Sequence, residues 1–160
     1  MKEVNIKSTF FVFDDLTETP LQIQNLMKKA MTARENAYAP YSKFHVGTAI
    51  LLDNNEIITG NNQENASYPS GLCAERAAIY YAGSNYPETK ILVMAIVAGS
   101  IKNTTSKPIP PCGACRQAIA EYEVKQESPI EIYFKGETGK VVKSNSLANL
   151  LPLLFDKAVL

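Results

Sequence analysis

Apolar and polar residues alternate from residue 2 to residue 13, with Val4, Ile6, Phe10 and Val12 on one side and Lys7, Thr9, Phe11 and Phe13 on the other. A period of two predicts an N-terminal strand, ended by Asp14-Asp15. The period then changes. Leu21, Ile23, Leu26, Met27, Ala30, Met31, Ala33 and Ala37 include i, i+3 and i+4 spacings, which predicts a helix with one apolar face. Thr19 is its expected N-cap and Pro20 its first residue, and Ala39-Pro40 ends it near Tyr38. Residues 46–52 predict a buried strand, paired across the turn Asp53-Asn54-Asn55 with residues 56–60. Residues 61–71 are polar and turn-rich, and a helix is expected from about Cys73 through Tyr81. Residues 91–97 form a nearly continuous apolar run, as in a strand covered on both faces. A loop rich in Thr, Ser, Lys and Pro follows, then a helix from near Cys112 past Ile119. Residues 130–134 and 141–142 predict strands about the turn 136–139, and Ser146 is expected to cap a short C-terminal helix over 147–154. This order predicts an α/β fold with a mixed sheet between helical layers. Residues 1–18 read as an extension forming an edge strand, and residues 19–160 as one domain.

Composition narrows the function classes. The 160 residues suit a single domain with a proper core, and 46% apolar with 20% charged residues is ordinary for a soluble globular protein. Sixteen basic and sixteen acidic side chains cancel, so no global field attracts nucleic acid or an anionic membrane. No apolar run nears the roughly 20 residues of a membrane helix. The first residues lack the apolar stretch of a secretory signal. Three cysteines leave one thiol over from any disulfide framework, so a reducing, cytoplasmic compartment is expected.

All three cysteines lie in two short segments, Cys73-Ala74-Glu75-Arg76 and Pro111-Cys112-Gly113-Ala114-Cys115. Catalytic zinc takes three protein ligands and keeps a fourth position open for water. Cys73, Cys112 and Cys115 match that number. Glu75, two residues after the first cysteine, is the candidate base for the water. Cys-x-Glu followed by Pro-Cys-x-x-Cys is the three-thiolate form of a zinc deaminase signature. Over about residues 21 to 155 the sequence resembles the cytidine deaminase family, in its small homo-oligomeric branch.

The resemblance implies a three-layer α/β/α fold with a sheet of about five strands, to which the N-terminal strand would be an addition. It implies one zinc per chain and hydrolytic deamination of cytidine and 2′-deoxycytidine in pyrimidine salvage. Asn62-Gln63-Glu64-Asn65-Ala66 looks like the family's ribose segment, so Asn62 and Glu64 are expected on the sugar 3′-hydroxyl. Tyr41-Ser42-Lys43-Phe44 resembles its Tyr-Ser-x-Phe, which puts Phe44 against the base. Ala74 is expected among the substrate contacts. Tyr68 and Phe155 match aromatics that reach a neighbouring subunit's pocket, which implies a homotetramer with shared sites. Arg76 is expected beside the ligating sulfurs, offsetting the net negative charge of three thiolates on a divalent cation. Gln117, in Cys-Arg-Gln, is expected to support the zinc loop.

Four rivals compete with that reading. A closed structural zinc site would use His45 as fourth ligand, but it leaves Glu75 without a role. A polynucleotide deaminase or a zinc-binding nucleic-acid module would need a basic face that the sequence lacks. A deaminase of another aminated pyrimidine would not need to keep the ribose segment.

Overall fold

The sequence's change of period appears directly in the computed structural model, which describes residues 1–157. The elements run β1 (Phe11–Phe13), α1 (Leu21–Glu35), β2 (Phe44–Leu52), β3 (Ile57–Asn61), α2 (Ala74–Asn85), β4 (Ile91–Ser100), α3 (Gly113–Lys125), β5 (Glu131–Lys135) and β6 (Val141–Ser144). They form one six-stranded mixed sheet in the order β1-β6-β5-β4-β2-β3. Only β4 and β5 run parallel, joined by the crossover through α3. The other neighbours are antiparallel.

β4 is apolar from Ile91 to Ala98, and residues 93–98 are buried because the strand is central and covered there on both faces. Met94 and Ile96 join Ile79 of α2 and Ile119 of α3 in one core layer. Val93, Ala95 and Val97 point the other way, against Ile23, Leu26, Met27 and Ala30 of α1. Full burial of a large apolar side chain contributes about 1.5–3 kcal/mol, so these two layers carry the main favourable term of the fold. The result is the expected three-layer α/β/α arrangement.

Close packing places the helix that matters most for function. Gly60 of β3 pairs with Thr48 of β2. A Cβ at Gly60 would meet the Ala74 carbonyl oxygen at 2.6 Å and the Ala78 nitrogen at 2.8 Å. The first turn of α2 therefore sits directly on the sheet.

Four local expectations are corrected. The N-terminal strand is Phe11–Phe13, antiparallel to β6, and residues 2–10 lie outside any strand. Beyond residue 10 the chain meets a sheet edge to pair with, whereas the earlier alternation has no partner strand. Thr19 does not cap α1. Its hydroxyl donates to the Leu16 carbonyl, closing the short 3-10 turn Leu16–Glu18, and Pro20 takes the cap position without a side-chain bond. α1 ends at Glu35 instead of near Tyr38. The C-terminal helix is only the 3-10 turn Leu147–Asn149, although Ser146 does cap it by accepting from the Ala148 N–H. Pro152 cannot donate a helical hydrogen bond, and Leu153 has φ 59°, outside the helical region.

Candidate metal centre and cleft

Both cysteine segments fall where loop becomes helix. Cys73 is the N-cap of α2 and Cys112 the N-cap of α3, neither with a side-chain cap bond. Unpaired N–H groups and the positive end of the helix favour thiolate over thiol at such positions. Cys115 lies within the first turn of α3 and is fully buried. The Sγ atoms of Cys73 and Cys112 are 3.9 Å apart, and those of Cys112 and Cys115 are 3.5 Å apart. All three sulfurs lie within 4.8 Å of one another. A tetrahedral ion with Zn–S distances of about 2.3 Å needs its sulfurs roughly 3.8 Å apart. The donor set and its spacing therefore fit zinc. Among the described residues this is the one cluster of metal-ligand type, and His45 is not part of it. His45 is paired with Gly99 inside the sheet, and its carbonyl accepts from Arg34 Nε.

The protonation of the thiols shows the same convergence. The hydrogen bond with Cys115 draws Cys73 down to about 5, helped by Arg76. Cys115 is pushed upward by that same bond and by its burial, so it holds the shared proton. Three thiols this close cannot all ionise without a cation between them.

Glu75 is 5% exposed. Burial pushes its carboxyl up to about 7, with the negative charge of Cys73 adding to the rise. Its interaction with Cys115 acts in the opposite direction. Arg76, one residue on, puts Nη2 3.7 Å from Cys73 Sγ, while its buried Nε has no hydrogen-bond partner. Contact with Cys73 raises the Arg76 pKa further, so the guanidinium stays charged.

Cys73 and Arg76 line a cleft of about 480 Å³ together with residues that include Tyr41, Asn62, Glu64 and Tyr68. Asn62 is held at both ends of its amide. Its Oδ1 accepts from the Val46 N–H at 2.8 Å, and its Nδ2 donates to the Phe44 carbonyl at 2.9 Å. Glu64 Oε2 accepts the N–H groups of Tyr41 and Ser42, at 2.9 and 3.2 Å. The Ser42 side chain, then those amides, hold its carboxyl below the usual range. Tyr68 is exposed, with its ring centroid 5.9 Å from that of Tyr41. Ala74 is fully buried at the start of α2.

Phe44 and Phe155 are not brought into this cleft. Phe44 is half-buried where β2 begins. Phe155 is exposed, and its carbonyl accepts from Gln117 Nε2 at 2.9 Å. Gln117 thus binds the C-terminal segment and not the cysteine loop. Arg116, overlooked in the sequence, braces that loop. Its Nε donates to the Pro111 carbonyl and its Nη1 to the Leu150 carbonyl, both at 2.8 Å. The only signal in the sequence was its place beside Cys115. A second cavity, about 220 Å³ near Gly83, Tyr122 and Gln126, has no cysteine in its lining.

The sequence model described as the cytidine and deoxycytidylate deaminase zinc-binding region matches residues 20–128. The chain belongs to this deaminase family. The matched span holds all three cysteines, Glu75 and the Asn62–Glu64 wall of the cleft. A cytidine deaminase of Sporosarcina psychrophila is 37% identical over 137 residues, 86% of this chain and 93% of its own. One from Halalkalibacterium halodurans is 48% identical over 98 residues, covering 61% and 70% of the two chains. Among solved structures, the cytidine deaminase of Burkholderia pseudomallei superposes with a TM-score of 0.70 at 36% identity, over 82% of this chain and 97% of that one. Deaminase-family membership therefore rests on sequence and on fold alike.

Proposed function

We propose that this chain is a zinc-dependent hydrolase that converts cytidine and 2′-deoxycytidine to uridine and 2′-deoxyuridine, consuming water and releasing ammonia. The observation that carries this reading is the convergence of Cys73, Cys112 and Cys115, with buried Glu75 two residues from Cys73 and Cys73 itself lining the same cleft as Asn62 and Glu64. Zinc held by the three thiolates, one ion per chain, supplies a Lewis acid that lets water lose a proton near neutral pH.

Glu75 moves the protons. A carboxyl poised near 7 is divided between base and acid forms at neutrality, the condition for serving in both directions. It accepts a proton from the water that attacks C4 of the pyrimidine. It passes that proton to ring N3, then takes the second proton from the new C4 hydroxyl, which becomes the carbonyl, and gives it to the amine, whose bond to C4 breaks. Arg76 donates toward Cys73 and offsets the excess negative charge of three sulfurs.

Asn62 and Glu64 take the sugar 3′-hydroxyl, a contact indifferent to the 2′ position. The family resemblance also assigns Phe44 and Ala74 to the base, although neither lines the cleft. Tyr68 and Phe155 are exposed, as expected of side chains that complete a neighbouring subunit's site in a homotetramer. A cytoplasmic salvage role fits three cysteines used as reduced ligands. Among the described residues no helix is long and apolar enough to cross a membrane.

An absorbance assay with cytidine, 2′-deoxycytidine and free cytosine, alongside zinc content, tests the reading. Turnover of both nucleosides but not cytosine, with one zinc per chain, is expected. Full zinc with neither nucleoside turned over overturns it.

A further inference from the structure

The N-terminal extension lies outside the matched family region, which begins at residue 20. It is not loosely appended. β1 adds to the sheet edge by pairing Phe11 with Lys143, Val12 with Val142 and Phe13 with Val141. The Phe13 ring stacks on Tyr133 with centroids 6.5 Å apart, which anchors the strand. Just before this strand the chain reaches the other terminus, where the Thr9 N–H donates to Asn149 Oδ1 at 3.2 Å. Phe10 lines a groove of about 460 Å³ together with Pro110, Arg116, Asn149, Leu150 and Pro152.

That groove joins three parts of the molecule: the extension, the loop entering Cys112, and the C-terminal segment. Past Asn149 the described residues, 150–157, form no strand or α-helix, and Leu153 and Phe155 are exposed. Its ties to the body include Arg116 to the Leu150 carbonyl, Gln117 to the Phe155 carbonyl, and the packing of Leu150 and Leu154 on the core. A segment without regular backbone pairing gains order from each bond that ties it to the body. The Thr9–Asn149 bond is such an addition, made where the segment leaves its last turn.

We infer that residues 8–10 of the extension are a positioning element. Through Asn149 they fix the C-terminal segment and thereby the presentation of Phe155 to the nucleoside. The second half rests on the reading of Phe155 as a substrate contact proposed above.

The test uses the full-length zinc-loaded protein. Thr9→Pro removes the donating N–H while also restricting the local backbone, Asn149→Ala removes the acceptor, and Asn149→Asp keeps one. Loss of one hydrogen bond corresponds to about three- to tenfold in binding, so Thr9→Pro and Asn149→Ala should each raise KM for cytidine by that factor. kcat and zinc content should stay unchanged, the double variant should be no worse than either single one, and Asn149→Asp should restore KM. Amide hydrogen exchange across residues 150–157 should quicken in both single variants.

Unchanged exchange in that segment overturns the inference, whatever happens to KM. Faster exchange with unchanged KM overturns the link to the nucleoside, and Phe155→Ala in the same assay shows where the link breaks. If Phe155→Ala raises KM, the extension does not govern Phe155. If it also leaves KM alone, the assignment of Phe155 to substrate has failed.

Discussion

Gly60 of β3 lies directly beneath Ala74, the first residue of α2, so closely that a Cβ would stand 2.6 Å from the Ala74 carbonyl oxygen. The two residues that flank Ala74 are Cys73 and Glu75. Gly60→Ala must therefore lift the helix start that carries a ligand and the proposed base. Overpacking of this kind costs about 1–3 kcal/mol. Thermal unfolding should shift down by about 2–10 °C, and nucleoside turnover should fall with it. Retention of both wild-type values would show that α2 can slide without consequence.

Cys112 is exposed and belongs to neither core layer. Cys112→Ser should therefore lose tightly held zinc and turnover while keeping the fold. Its unfolding free energy should lie within about 1 kcal/mol of the wild type stripped of metal by a chelator. Metal analysis after dialysis, paired with denaturant unfolding, checks this. Stoichiometric zinc in the variant would remove Cys112 from the ligand set.

Glu75→Gln keeps the size and polarity of a buried side chain but cannot exchange a proton. Zinc content should be retained and kcat should fall by about 10²- to 10⁴-fold, the usual share of general acid–base catalysis. Near-normal turnover would refute the assignment.

Arg76 holds its charge 3.7 Å from Cys73 Sγ. Hydrogen bonds to charged groups contribute about 1.5–3 kcal/mol, so Arg76→Gln should lower kcat by roughly tenfold to a hundredfold with zinc still bound. Equal zinc and equal turnover would reduce Arg76 to a bystander.

Glu123 of α3 accepts from the Ile130 N–H at 2.7 Å, the Ser146 hydroxyl at 2.6 Å and the Leu147 N–H at 2.9 Å. Ile130 and Leu147 are fully buried, so water cannot replace the carboxylate at their amides. Glu123→Ala should destabilise the fold by about 2–4 kcal/mol, and thermal unfolding measures it. A loss under about 0.5 kcal/mol would mean those amides find other partners.

The metal centre was legible in the sequence because its ligands depend on local geometry. A cysteine one residue before a helix and two cysteines three apart at another helix start have few ways to present their sulfurs. The helices and central strands were legible for a similar reason, since burial imposes a period of 3.6 or an unbroken apolar run. Short-range reasoning failed where a distant segment decided the outcome. Alternation alone extended the first strand back to residue 2, but only Phe11–Phe13 have an edge of β6 to bond with. Thr19 looked like a cap until the Leu16 carbonyl, held by the preceding turn, took its hydroxyl. Gln117 sits two residues from Cys115, yet its amide goes to Phe155, 38 residues on.

What the sequence determined by itself, then, is a set of three thiols at two helix starts with a carboxyl beside one of them, and the helical layers about a mixed sheet. Tertiary structure alone decided that the sulfurs meet within 4.8 Å and that burial brings Glu75 to about 7. It also decided that the extension touches the C-terminal segment, because contacts between Thr9 and Asn149, 140 residues apart, leave no periodic trace in the residues that make them.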